Sequence, residues 1–98
     1  MDRDELGALA AFVAVAEERS FTRAAKRLGV SPSALSHAVR GLEERMGVRL
    51  LARTTRSVAR TDAGEQLYAR LKPALDDVRQ AVDQVSSLRD RPAGRVRL

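Results

Sequence analysis

Apolar residues recur near the start of the chain at steps of three and four: Leu6, Leu9, Ala10, Val13 and Ala16, with Phe12 beside them. That period is helical and predicts a helix over residues 4–18 with one buried stripe. A shorter stretch puts Phe21, Ala24, Ala25 and Leu28 on one face behind Ser20, whose hydroxyl suits an N-cap. Gly29 supplies the backbone freedom to leave that helix. Ser31-Pro32 restarts it, because proline at the first helical position lacks only an N–H that has no helical partner there. Leu35, Val39, Leu42 and Met46 then fall at i, i+4, i+7 and i+11, and Gly47 ends the pattern. Two helices across a very short turn follow, the second of them amphipathic.

The period changes over residues 48–60, VRLLARTTRSVAR. Short β-favouring pieces flank the polar Thr54-Thr55-Arg56-Ser57, which predicts a two-stranded hairpin with Arg53 and Arg56 near its tip. Thr61-Asp62 opens a long helix, with an acid at its positive end. Leu67, Leu71, Ala74, Val78, Ala81, Val85 and Leu88 alternate steps of four and three, and Leu75 and Val82 widen the stripe. A helix over 62–89 is roughly 40 Å long, and Pro73 inside it is expected to bend it. So long a stripe outruns what one small domain covers. A second copy of the chain is the simplest cover, with Leu67, Leu71, Leu75, Val78, Val82 and Val85 at the interface. Pro92 and Gly94 then break the helix before the alternating Val96-Arg97-Leu98, which reads as a linker and the first strand of something further. The expected architecture is mainly α: a winged helix-turn-helix over 1–61, with a three-helix core and a short two-stranded wing, a dimerisation helix over 62–90, and a hinge over 91–98.

Composition narrows the chemistry. The chain has 98 residues, room for one domain with a modest core, and with 3% aromatics that core is built from Leu, Val and Ala. The absence of cysteine excludes disulfides and thiol catalysis. The longest apolar run, LGALAAFVAVA, is too short for a membrane span, and the acidic start argues against a signal peptide, so the cytoplasm is the expected location and no membrane the expected partner. The net charge of +5 is unevenly placed. Residues 1–18 carry −4, residues 19–60 hold ten basic side chains against Glu43 and Glu44 for +8, and residues 61–98 carry +1. A basic block of this kind is the footprint of a polyanion partner.

An enzyme needs a nucleophile, base or metal cluster in mutual reach. His37 is the single histidine, the carboxylates are scattered over charged faces, and no glycine-rich phosphate loop occurs, so neither catalysis, nor a metal, nor a cofactor is expected. The second helix offers something else. With its apolar stripe inward, Ser33, Ser36, His37 and Arg40 face outward together. Hydroxyls donate and accept, imidazole does either, and arginine forks onto guanine edges or phosphates. Serine is a poor helix former, so helix propensity does not account for Ser33 and Ser36. Thr22, Ser31 and the first turn of this helix suit phosphate contacts, and Arg53 and Arg56 a phosphate or the minor groove. Two other readings remain open: a helical protein-interaction module with an acidic partner, and non-specific architectural DNA binding.

SFTRAA, LEERMGVRL, RTTR and TDAGE, with Leu9, Phe12 and Val15 before them, together resemble the N-terminal winged helix-turn-helix of LysR-type transcriptional regulators, over nearly the whole chain. The resemblance implies sequence-specific binding to double-stranded DNA at an imperfect inverted repeat. It implies a homodimer joined through the long helix, with a tetramer open to the full-length protein. A small-molecule effector would bind only through a further domain that PAGRVRL begins. Recognition positions then fall on Pro32, Ser33, Ser36 and His37, and the wing position on Arg53. Many relatives carry glutamine at Pro32 and arginine at His37, so base preference is not transferable; Leu51 replaces a frequent phenylalanine, and Arg60 adds charge at the base of the wing.

Overall fold

The computed structural model describes residues 2–90. It runs α1 (Arg3–Glu18), α2 (Phe21–Leu28), α3 (Pro32–Met46), β1 (Leu51–Arg53), β2 (Val58–Arg60) and α4 (Asp62–Ser87), with a short 3-10 turn at Leu88–Asp90. The expected linker and strand over 91–98 lie outside the described residues. Each helix starts where a short polar side chain satisfies an otherwise unpaired N–H. Asp2 accepts from Glu5, Ser20 from Arg23, Ser31 from Ala34 and Thr61 from Gly64. Gly29 and Gly47 end α2 and α3 at φ 73° and 71°, a conformation that favours glycine. Arg19 takes the same role after α1 at φ 57°, and its carbonyl accepts from Val58, which ties β2 to the end of α1.

The first helix is more buried than its stripe implies. Ala8, Leu9 and every residue from Ala11 to Ala16 are buried, because α1 touches α2 and α3 and also α4 and β2. A helix surrounded on several sides carries apolar residues all round, and alanine lets its neighbours approach. The core is completed by Ala24, Ala25, Leu35, Val39, Leu42, Leu50, Leu51 and Val58. Three residues assigned to apolar faces are instead exposed: Leu6 at 52%, Leu28 at 41% and Met46 at 46%. All three lie at or near a helix end, where packing thins out; Met46 borders an open groove with Val48, Ala63 and Leu67.

Glu43 and Gly64 fix how the later elements seat on the core. The Glu43 carboxylate accepts from the Leu50 and Leu51 N–H groups at 2.8 and 3.1 Å and pairs with Arg49, so α3 holds the start of the hairpin. Thr61 donates its hydroxyl to the Arg49 carbonyl, and its N–H to that of Leu50. Gly64 in the first turn of α4 lies so close to that strand that a Cβ there would collide with the Leu50 carbonyl oxygen. Only a glycine fits this crossing.

Pro73 sits inside α4 without ending it, and the helix is continuous over 26 residues, about 39 Å. No helix among the described residues is long and apolar enough to cross a membrane.

Candidate nucleic-acid interface

The buried stripe of α3, Leu35, Val39 and Leu42, fixes which face it shows to solvent. Ser33, His37 and Arg40 are exposed on that outer side and Ser36 is half-buried among them. Pro32 is exposed at the N-terminus of the helix, and Ser31 has its oxygen engaged as the cap, accepting from Ala34 at 3.1 Å. Thr22 is exposed in the first turn of α2.

The wing is a two-stranded antiparallel ladder pairing Leu51 with Arg60, Ala52 with Ala59 and Arg53 with Val58. Thr54 builds its tip: the hydroxyl donates to the Ser57 carbonyl and accepts from the Arg56 and Ser57 N–H groups. Those bonds hold Arg56 at the tip with an exposed side chain. Arg53 shares a strand face with the buried Leu51, since alternate residues of a strand point the same way. It is therefore turned back toward the helices. Its guanidinium lies over the Phe21 ring at 4.1 Å and donates to Ser36 Oγ at 3.0 Å. Of the expected site residues, Ser36 and Arg53 touch directly. Nothing local in the sequence shows that contact, which joins positions seventeen apart.

Internal pairing divides the basic block. Arg23 and Arg27 meet Glu18, Arg27 also meets Glu17, Arg49 meets Glu43, and Arg60 meets Glu65. Arg60 also stacks on the Tyr68 ring at 4.0 Å, so its charge is directed at α4 rather than offered at the base of the wing. Among the described residues, Arg19, Lys26, Arg40, Arg45, Arg53 and Arg56 of this block form no ion pair; all are exposed. Apart from Arg19, in the turn after α1, these cations lie on α2, α3 and the wing, the elements that carry the expected contacts. Charge without an internal partner is what a phosphate backbone requires.

Behind this surface, Glu17 clamps α1 to α2 and α4. It accepts from the Tyr68 hydroxyl at 2.7 Å, with Lys72 at 2.9 Å and Arg27 at 2.9 Å. Burial opposes its charge, but the bonds from Tyr68, Lys72 and Arg27 outweigh burial and hold its pKa at about 2.

Residues 6–65 match the family described as bacterial regulatory helix-turn-helix protein, lysR family. The chain is 56% identical over its full length to the HTH-type transcriptional regulator PgrR of Escherichia coli (strain K12), covering 33% of that protein. It thus spans about a third of the length of the curated relatives it matches. It superposes on the BenM DNA-binding domain solved in complex with catB site 1 DNA, with a TM-score of 0.77 and 36% identity over 94% of this chain and all of that one. A Corynebacterium glutamicum OxyR mutant gives a TM-score of 0.79 and 38% identity, over 87% of this chain and 26% of that one. The chain belongs to the LysR family of bacterial regulatory helix-turn-helix proteins, as a DNA-binding domain.

Proposed function

We propose that the chain is the sequence-specific head of a dimeric LysR-type transcriptional regulator, with α3 in the major groove and the wing on phosphate or the minor groove. The observation that carries this is the outward set Ser33, His37 and Arg40, flanked by exposed cations without ion-pair partners among the described residues. Thr22, Ser31 and Pro32 border the same set at helix N-termini. The likeness to a BenM DNA-binding domain solved in complex with DNA supports DNA as the partner.

The assembly follows from α4. Leu67, Leu71 and Leu75 are half-buried against this chain's own core, whereas Val78, Val82, Val85 and Leu88 are more than half exposed. A second copy covers that free part, and two heads related by a two-fold axis meet an imperfect inverted repeat. The organisation is then head over 1–61, linker helix over 62–90 and hinge from 91, leading to a domain that senses a small molecule in a longer cytoplasmic protein, with a tetramer open to the full-length protein.

Duplex binding measured against salt tests this reading. Affinity should fall steeply with salt while one duplex remains preferred. A steep slope without preference would mean architectural binding, and no duplex binding would leave a protein-interaction module.

A further inference from the structure

Arg53 joins three elements. Its strand face turns it inward, Phe21 at the start of α2 supplies a ring beneath its guanidinium, and Ser36 on α3 accepts one of its N–H groups. We infer that Arg53 is a positioning residue that holds the Ser36 hydroxyl in one rotamer on α3, so that Ser36 reads one base edge with the proton and lone pair it has left. This deepens the DNA-binding reading above and rests on it.

A serine hydroxyl has one proton to give and two lone pairs to receive, and it normally rotates to suit its partner. A guanidinium has donors only. The 3.0 Å bond from Arg53 Nη2 therefore takes one of the two Ser36 lone pairs and ties the hydroxyl to the wing. Among the described residues Ser36 Oγ donates to no protein acceptor, so its proton and its second lone pair are left for a partner beside Ser33, His37 and Arg40. Facing a major groove, the proton can be given to purine N7, guanine O6 or thymine O4, and the lone pair can receive an amino group of adenine or cytosine. Which base is read therefore depends on where the hydroxyl is held. Without Arg53 the side chain is free to leave that rotamer, and the reading of that base pair is lost. Stacking on Phe21 holds the fork in place, so a cation alone does not replace it.

Selection from a random duplex library, with salt titrations on the winners, tests this with wild type, S36A, R53A, R53K and the S36A/R53A double variant. S36A should flatten the preference at one base pair of each half-site by roughly three- to tenfold. R53A should flatten that same base pair and also weaken binding overall, and the double variant should lose no more preference there than either single one. R53K should keep the salt slope but not the preference. Additive losses at different base pairs, or an R53K profile that superimposes on the wild type, would overturn the inference and leave Arg53 a simple cation. Failure of the underlying reading looks different: the wild type itself would enrich no duplex, and both would fall.

Discussion

The two halves of α4 carry one repeat and meet opposite fates. Leu67, Leu71 and Leu75 pack on the chain's own core, while Val78, Val82, Val85 and Leu88 stand bare beyond them along the same stripe. The periodic pattern does not change between them; what changes is whether the head reaches that far. A heptad stripe thus announces a buried face without saying whose residues bury it. The first half belongs to the stability of the fold, and the second is the part that the proposed dimer covers.

Substitutions placed on the two halves should therefore separate folding from association. Val78 is 60% exposed in the single chain. Val78→Asp should cost the dimer about 3–5 kcal/mol by placing unpaired carboxylates between two helices, and should change unfolding of the monomer by less than about 0.5 kcal/mol. Light scattering and urea unfolding read the two quantities separately. A variant that stays dimeric, or wild type that is monomeric at tens of micromolar (about the range of such assays), would break the contrast.

The near half should respond in the opposite way at Gly64, where α4 crosses Leu50. Gly64→Ala forces a Cβ into the Leu50 carbonyl and should cost about 3 kcal/mol, the upper end for overpacking. Gly7, inside α1, is the control, because a Cβ added there would meet no heavy atom within 4 Å. Gly7→Ala should stabilise by about 0.5–1 kcal/mol. Urea midpoints that move together would show that close approach is not what Gly64 provides.

Acid sharpens the comparison further, because Glu17 fastens the near half alone. Its pKa is lowered from 4.5 to about 2, so its contribution is complete above about 4.5 and disappears as pH falls through about 2. The corresponding stability is of the order of 2–3 kcal/mol, since its side chain is only 20% exposed. Glu17→Gln, which preserves shape and an acceptor for Tyr68, should be less stable than wild type at pH 6 and approach it near pH 2. A gap that stays constant from pH 6 to pH 2 would contradict the clamp.

Local signals are legible in the sequence, and distant ones are not. Ser20, Ser31-Pro32 and Thr61 announce helix starts because a cap acts three residues away, and Gly29 and Gly47 announce ends for the same reason of proximity. The outward face of α3 follows from its buried stripe. Glu43 reads as one more surface carboxylate, yet it holds two strand N–H groups seven and eight residues on. Arg60 reads as spare charge and stacks on Tyr68. Arg53 reads as a free wing cation and reaches Ser36. Each of these roles depends on which elements meet, a tertiary fact that no window of neighbouring residues contains. Leu6, Leu28 and Met46 show the converse, since periodicity marks a face but not where its cover stops.

The smallest expected effect lies on the head itself, at His37. It is exposed on α3 one residue after the half-buried Ser36, and its imidazole makes no hydrogen bond to another of the described residues. Imidazole carrying one proton offers one donor and one acceptor, whereas arginine offers a fork of donors that matches guanine O6 and N7. His37→Arg should therefore shift the preferred base at one position of each half-site toward guanine, by roughly 1–2 kcal/mol of discrimination. His37→Ala should relax that position and leave the one set by Ser36 untouched, because the Arg53–Ser36 contact does not involve it. Dimerisation should be unchanged in both variants, since the free half of α4 lies on a different element. Specificity profiles of wild type and both variants decide the matter. If the three superimpose and only overall affinity moves, His37 touches backbone or solvent, and base reading falls to Ser33, Ser36 and Arg40.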